Sequence, residues 1–216
     1  RAREEGTAVE LTLHPLKQPV LQGEAGLSQK GPGGGNASYY YSIPRLATSG
    51  HVVSEGDTIA VRGLSWMDRE WSTSALGPDQ VGWDWFALQL DDGRDLMYYR
   101  LRNRHGTASR YSEGILVGPE GAVSRFGPEE VELEVLNRWT DPDTGAEYPI
   151  AWELSVPAEE LNLRIQARFP DQLMRLEVRY WEGAVSVEGS GDGDPLVGQG
   201  YVELTGYGEA AATPVR

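Results

Sequence analysis

Two short stretches of the chain combine ionisable groups with large apolar surfaces. Leu64-Ser65-Trp66-Met67-Asp68-Arg69-Glu70-Trp71 and Trp83-Asp84-Trp85-Phe86-Ala87-Leu88-Gln89-Leu90 hold four of the seven tryptophans, together with Asp68, Glu70 and Asp84. Side chains of an extended segment point to opposite faces in turn. Leu64, Trp66, Asp68 and Glu70 therefore share one face, and Asp84 shares one with Phe86, Leu88 and Leu90. Trp83, Trp85, Ala87 and Gln89 take the other face of the second segment. A carboxyl group at the end of a row of apolar side chains is poorly solvated, and its pKa rises unless a cation or several donors hold the charge. Asp84, and after it Asp68, are thus candidate proton donors near neutral pH. The competing reading is a structural aspartate that accepts hydrogen bonds from an indole N–H, a backbone amide or Arg69.

Such groups need strands to position them, and the alternation supplies them. Residues 7–13 alternate as an amphipathic strand, with no partner in the 23 residues that follow. Residues 17–36 read as a polar connection ending Gly31-Pro32-Gly33-Gly34-Gly35-Asn36, which lacks the Gly-Lys-Ser/Thr ending of a phosphate-binding loop. From residue 37 onward the strand signal recurs at 38–43, 47–53, 58–66, 83–90, 95–102, 111–117, 130–136, 148–156, 161–167, 176–188 and 200–207. The Asp-Gly within Asp91-Asp92-Gly93-Arg94 marks a hairpin. No long helical pattern interrupts the series. An all-β, antiparallel fold follows, and closure into a barrel protects its edges best. A flattened sandwich is the alternative. A barrel of this size has room for one small ligand.

Composition removes several function classes. The chain has 216 residues and a formal net charge of −14, the wrong sign for phosphate backbones or anionic membrane surfaces. It has no cysteine, which excludes disulfides, thiolate nucleophiles and Cys-ligated metals together. No apolar run approaches the roughly 18 residues of a membrane span, so membrane insertion is not expected. His14, His51 and His105 are scattered without the spacing of a metal site, and no cofactor motif is present. No Gly-x-Ser-x-Gly elbow occurs. Glu182 and Glu203 read as structural acids on an outer face, and Glu130, Glu132 and Glu134 as a solvated strand face. The sequence opens at Arg1 rather than at a methionine, so a targeting segment would not be visible in it.

Tyr39-Tyr40-Tyr41-Ser42, the Trp66 to Trp71 run, Gly82-Trp83-Asp84-Trp85-Phe86-Ala87-Leu88-Gln89-Leu90-Asp91-Asp92-Gly93, Tyr180-Trp181-Glu182-Gly183-Ala184-Val185 and Gly200-Tyr201-Val202-Glu203-Leu204-Thr205-Gly206-Tyr207 occur in this order. With them the chain resembles the AttH-like, lipocalin-like family, which also contains the bacterial carotenoid 1,2-hydratases. The resemblance implies an antiparallel lipocalin-like barrel, the second of two in tandem. Residues 1–30 would be the tail of the preceding barrel of the same chain, 31–36 a Gly-rich linker, and 37–210 the barrel itself. An extracytoplasmic location is implied as well. The first functional expectation is binding of a hydrophobic small molecule, an isoprenoid, lipid or polyketide, as a carrier or accessory of the cell envelope. Trp66, Trp71, Trp83, Trp85, Phe86, Tyr99 and Trp152 would line the site, with Tyr98 as the alternative to Tyr99. The second is a hydratase or cyclase, a carbon-oxygen lyase without cofactor. There Asp84 would be the acid, Asp68 would position water, and Trp71, Trp83 and Trp85 would face the cation. One departure bears on that chemistry: relatives commonly carry histidine where this chain has Arg69, which cannot trade protons.

Overall fold

A computed structural model of the protein describes residues 1–72, 76–176 and 178–208. The ends of two sequence expectations, residues 209 and 210 of the barrel and Glu177 of the strand at 176–188, lie outside the described residues. The chain forms two antiparallel sheets. The first is built on one long strand, β5 (Ala37–Ser54). Its one edge pairs along its length with β6 (Asp57–Ser72). Its other edge pairs successively with β4 (Leu27–Gln29), β3 (Val20–Leu21) and β2 (Thr7–Pro15), and β1 (Ala2–Glu4) lies outside β2.

The strand at residues 7–13 therefore has a partner, but one that begins beyond the Gly-rich run. The two strands expected at 38–43 and 47–53 are one. Pro44, which has no N–H for the ladder, sits in a bulge between Ile43 and Leu46 that bends β5 without ending it. Residues 17–36 are not a free connection, since Val20, Gln22, Ser28 and Lys30 are all buried.

The second sheet contains β7 (Gln80–Leu90), β8 (Asp95–Asn103), β9 (Glu113–Val117), β10 (Val123–Phe126), β11 (Glu132–Thr140), β12 (Glu147–Val156), β13 (Leu161–Ala167), β14 (Leu173–Arg175), β15 (Arg179–Gly191) and β16 (Asp194–Leu204). Its order is β10-β9-β8-β7-β16-β15-β13-β12-β11, with β14 also on β15. The turn between β7 and β8 is the hairpin the Asp-Gly signal marks, and Gly93 takes a φ of 87° there. Gly200 lets β16 lie close on β7: a Cβ on it would come within 2.2 Å of the Ala87 carbonyl oxygen. The sheet curls into a lipocalin-like shell, although its end strands β10 and β11 are not hydrogen-bonded to one another.

The shell is filled. Phe86, Leu88 and Leu90 of β7 pack with Tyr98, Tyr148, Trp152, Leu163, Ile165, Trp181 and Val202 in a single cluster. Trp152 and Trp181 are 0% exposed, and the Phe86 and Trp152 rings meet edge to face at 5.5 Å. The opposite face of the β7-β8-β9 wall carries Met97, Tyr99, Leu101, Ile115 and Val117, with Trp83 and Trp85 packed beside them. The first sheet lies on this outer face, contributing Val20, Tyr40 and Trp66 to the same cluster. Asp95, fully buried, ties the sheets together: Lys17 Nζ is 2.7 Å from Oδ2, and Arg45 Nη2 is 2.9 Å from Oδ1. Lys17 also donates to the Gly93 carbonyl and Arg45 to the Leu90 carbonyl, so both cations are locked to the β7-β8 turn.

Candidate functional site

The inner and outer faces of β7 separate as its alternation requires, and the space lies on the outer side. Between β6 and the outer wall of the shell is a cavity of about 390 Å³. Trp83, Trp85, Tyr99 and Leu101 form its apolar walls, and Trp71, its ring stacked on Tyr39 on the far face of the first sheet, reaches only the rim. Asp68, Glu70 and Glu203 bring carboxyl groups to it, and Lys30, Tyr40 and Ser72 complete the lining. A second cavity of about 480 Å³ adjoins it, sharing Asp68 and Trp85 and reaching Arg168 and Tyr201.

Asp68 is held by three donors. The Trp66 indole N–H donates to Oδ1 at 2.7 Å, the Ser42 hydroxyl to the same oxygen at 2.5 Å, and the Tyr40 hydroxyl to Oδ2 at 2.6 Å. The Trp85 indole N–H in turn donates to the Tyr40 oxygen at 3.1 Å, and the Gln22 amide to Ser42 at 2.9 Å. Burial raises the Asp68 pKa; the bonds from Ser42, Tyr40 and Trp66 pull it back, and nearby Glu70 pushes the same way as burial. Burial also pushes the Tyr40 hydroxyl well above its ordinary value, with the Asp68 charge adding to it.

Glu203 of β16 is the second carboxyl group. The Trp83 indole N–H donates to its Oε1 at 2.6 Å. Burial raises its pKa to about 7 against that bond, with Glu182 and Asp68 raising it further. The sequence places Glu203 on the outer face of the barrel; the first sheet then stands over that face and leaves Glu203 half-buried. Its alternation with the interior residues Val202 and Leu204 gives the face but not the cover.

Lys30 opposes these acids. Its ammonium is 3.2 Å from Glu70 Oε1 and 3.7 Å from the centroid of the Tyr99 ring. Burial lowers its pKa, and Glu70 offsets part of that. The Ser38 hydroxyl donates to the same Glu70 oxygen at 2.5 Å. Neither Lys30 nor Tyr40 stands out in the sequence as a site residue, since the one sits in a Gly-rich run and the other in a tyrosine triplet.

Of the residues expected from the sequence, Asp68, Trp83, Trp85 and Tyr99 meet at this cavity, and Trp66 stands behind it, bonded to Asp68 and edge to face with Trp85 at 6.4 Å; Trp71 reaches the rim but turns its ring to Tyr39 and Arg69 on the far face of the first sheet. Phe86, Trp152 and Tyr98 do not, because they point into the filled shell. Asp84 is on that inner side too. Its Oδ1 lies 3.0 Å from Arg102 Nε and accepts a 2.8 Å hydrogen bond from Tyr207. Burial pushes its pKa up against the pull of Arg102 and Tyr207. Arg69, with its guanidinium carbon 6.0 Å from the Trp71 ring centroid, is exposed on the opposite face of β6 from Asp68. The departure at that position therefore leaves the cavity's carboxyl groups untouched.

A family profile described as AttH-like matches residues 1–207. The chain belongs to the AttH-like family. Its fold is similar to the crystal structure of an AttH-type protein from Nitrosomonas europaea, with 37% identity and a TM-score of 0.85 over 96% of this chain and 64% of that one. It is also similar to kievitone hydratase from Nectria haematococca, at 18% identity and a TM-score of 0.77 over 94% of this chain and 63% of that one, a likeness of fold. Dehydratase asqC of Emericella nidulans is 23% identical over 207 residues, 90% of this chain and 57% of that protein. The chain thus spans less than two thirds of the length of each of these three proteins. Among the described residues no helix is long and apolar enough to cross a membrane.

Proposed function

We propose that the protein adds water to, or removes it from, a lipophilic small molecule bound in the cleft between the two sheets. The observation that carries this reading is one cavity in which two poorly solvated carboxyl groups, Asp68 and Glu203, stand among the indoles of Trp83 and Trp85. In the elimination direction a neutral Glu203 gives its proton to the substrate hydroxyl, and water leaves with the C–O bonding pair. The carbon cation left behind rests against indole faces, whose quadrupole attracts positive charge. The Asp68 carboxylate takes a proton from the neighbouring carbon, and that C–H pair becomes the C=C bond. Hydration runs the same steps backwards. Two acids with the same cavity but different partners suit this division of labour. On this reading the acid is Glu203 and the base Asp68, while Asp84 faces Arg102 on the other side of β7.

The likeness to Dehydratase asqC, and at the level of fold to kievitone hydratase, supports a water-transferring role over plain binding. The test is incubation with tertiary allylic alcohols and prenylated phenols in oxygen-18 water. Wild-type protein should exchange label into at least one hydroxyl, and Glu203→Gln or Asp68→Asn should cut the rate by about a hundredfold or more. Binding of the panel without label in any product would leave the cleft as a carrier of hydrophobic molecules and remove the catalytic reading.

A further inference from the structure

Water transfer as derived above makes no use of Lys30, although Lys30 lines the cavity and is 7% exposed. An ammonium has three N–H donors. Among the described residues one oxygen, on Glu70, accepts from it at 3.2 Å. The Tyr99 and Tyr40 rings, at 3.7 and 5.2 Å, offer π faces rather than lone pairs. Buried donors are ordinarily satisfied, and the nearby carboxyl groups are committed elsewhere: Asp68 to Ser42, Tyr40 and Trp66, and Glu203 to Trp83. Lys30 thus brings unfilled donor capacity to the cavity it lines.

On the reading of this cleft as the substrate site, the geometry points to Lys30 as the donor to a carbonyl oxygen of the ligand, which places the substrates among lipophilic enones and β-hydroxy ketones. A full anion is the poorer fit, because Asp68, Glu70 and Glu203 already face the same space. A carbonyl accepts hydrogen bonds without adding charge. The chemistry is also served. With Lys30 on the carbonyl oxygen, the water oxygen bonds to the β-carbon of an enone and the C=C pair moves toward the carbonyl. The α-carbon then takes the Glu203 proton, and Asp68 receives the proton that the attacking water sheds. One molecule of water is added in total, and the reverse sequence eliminates it.

The test uses β-ionone, an isoprenoid enone, and the corresponding hydrocarbon without the oxygen, each followed by quenching of tryptophan fluorescence. Wild-type protein should bind the ketone about tenfold more tightly than the hydrocarbon, which has no acceptor, the ratio expected of one hydrogen bond to a charged donor. Its enone absorption should move to longer wavelength on binding. Lys30→Met should bind the two probes within about twofold of one another, losing both the preference and the spectral shift. Glu70, whose side chain is 41% exposed, remains solvated in that variant, and Lys30→Arg should retain the shift. Equal binding of the two probes to wild type, or a shift that survives Lys30→Met, overturns the role of Lys30 and leaves the cleft as a binding site. Failure of both probes to bind overturns this inference and the cleft reading together. Borohydride should trap no adduct, and a covalent amine product would overturn the hydrogen-bonded arrangement.

Discussion

Strand β7 presents two aromatic faces that behave differently. On the inner side Phe86 meets Trp152 and Trp152 meets Trp181, ring against ring at 5.5 and 6.2 Å, in a shell packed by aliphatic side chains. On the outer side the indole N–H groups of Trp83 and Trp85 are each bonded to an oxygen, of Glu203 and of Tyr40. Apolar walls gain by closing on one another until no void remains. A wall whose rings are pinned by directional bonds keeps its position without being filled. The lipocalin-like shell is consequently a core, and the open cavity lies outside it, under the first sheet.

The largest expected effect tests that contrast directly. Trp152→Ala should cost about 3–5 kcal/mol of stability, because its neighbours cannot collapse into the space of a ring that is wholly buried. Trp71→Ala, at a residue 51% exposed on the cleft rim, should cost less than about 1 kcal/mol. Urea unfolding of the two variants measures both. Similar losses would mean that the two faces are packed alike and that the comparison fails.

The contact between shell and first sheet can be broken separately. Asp95→Asn leaves Lys17 and Arg45 facing a neutral group in a site where the carboxylate is 0% exposed. Removing one member of a buried charge cluster costs about 3 kcal/mol or more. Variant protein should unfold at lower urea and lose ligand binding in the cleft before its shell melts, read by tryptophan fluorescence against far-UV circular dichroism. A loss under about 1 kcal/mol would show that apolar contacts through Val20 and Tyr40 hold the sheets together without it.

Alternation in the sequence showed which residues share a face, and it did so well. Trp83 and Trp85 oppose Phe86 and Leu88, Asp68 lies beside Trp66, and Gly93 turns the hairpin. What it could not show is what lies against each face. Asp84 ends an apolar row, but Arg102, on the neighbouring strand and diagonal to it, supplies a cation that no local pattern announces. Trp152 and Phe86 are as apolar as a ligand pocket requires and fill one another's space instead. Lys30 reads as part of a polar, Gly-rich connection, yet β4 on one side and β5 on the other fix it beneath the cleft. Long-range cover, not local pattern, decided each of these.

Asp84, on the inner face of β7, and Asp68, facing its outer side from β6, offer a sharper form of the same comparison. Asp84→Asn should lower stability by about 2–3 kcal/mol, since Arg102 would lose its partner at a buried site. Arg102 keeps its contact with the Tyr207 ring at 3.8 Å and its bond to the Thr205 carbonyl, which holds the loss below that expected at Asp95. β-Ionone affinity in the cleft should change by less than about twofold. Weakened ligand binding in Asp84→Asn, with stability intact, would return the carboxyl chemistry to the inner face.

The smallest effect expected, and the one that reads the cleft's solvation most directly, is the pH dependence of Glu203. Its pKa is raised from 4.5 to about 7 in the folded protein, chiefly by burial. Below the unfolded value both states hold the proton, so the group's contribution is at its most favourable there. As pH rises through the interval up to about 7 the unfolded chain releases the proton while the folded one retains it, and stability falls. Above the folded value both states are ionised and the loss is complete. Glu203→Gln has no such titration. Its stability relative to wild type should therefore rise by on the order of 2 kcal/mol between mildly acidic and neutral pH, a figure reduced from the full shift because the carboxyl group is partly solvated. Paired urea titrations at several pH values isolate this difference from the carboxylates that lie apart from Glu203, since those titrate alike in both proteins; Glu182 and Asp68, which act on Glu203, contribute to the difference with it. A constant gap would mean that water reaches Glu203 as freely as at an open surface, and the outer cleft would then lack the poorly solvated acid that distinguishes it from a merely aromatic groove.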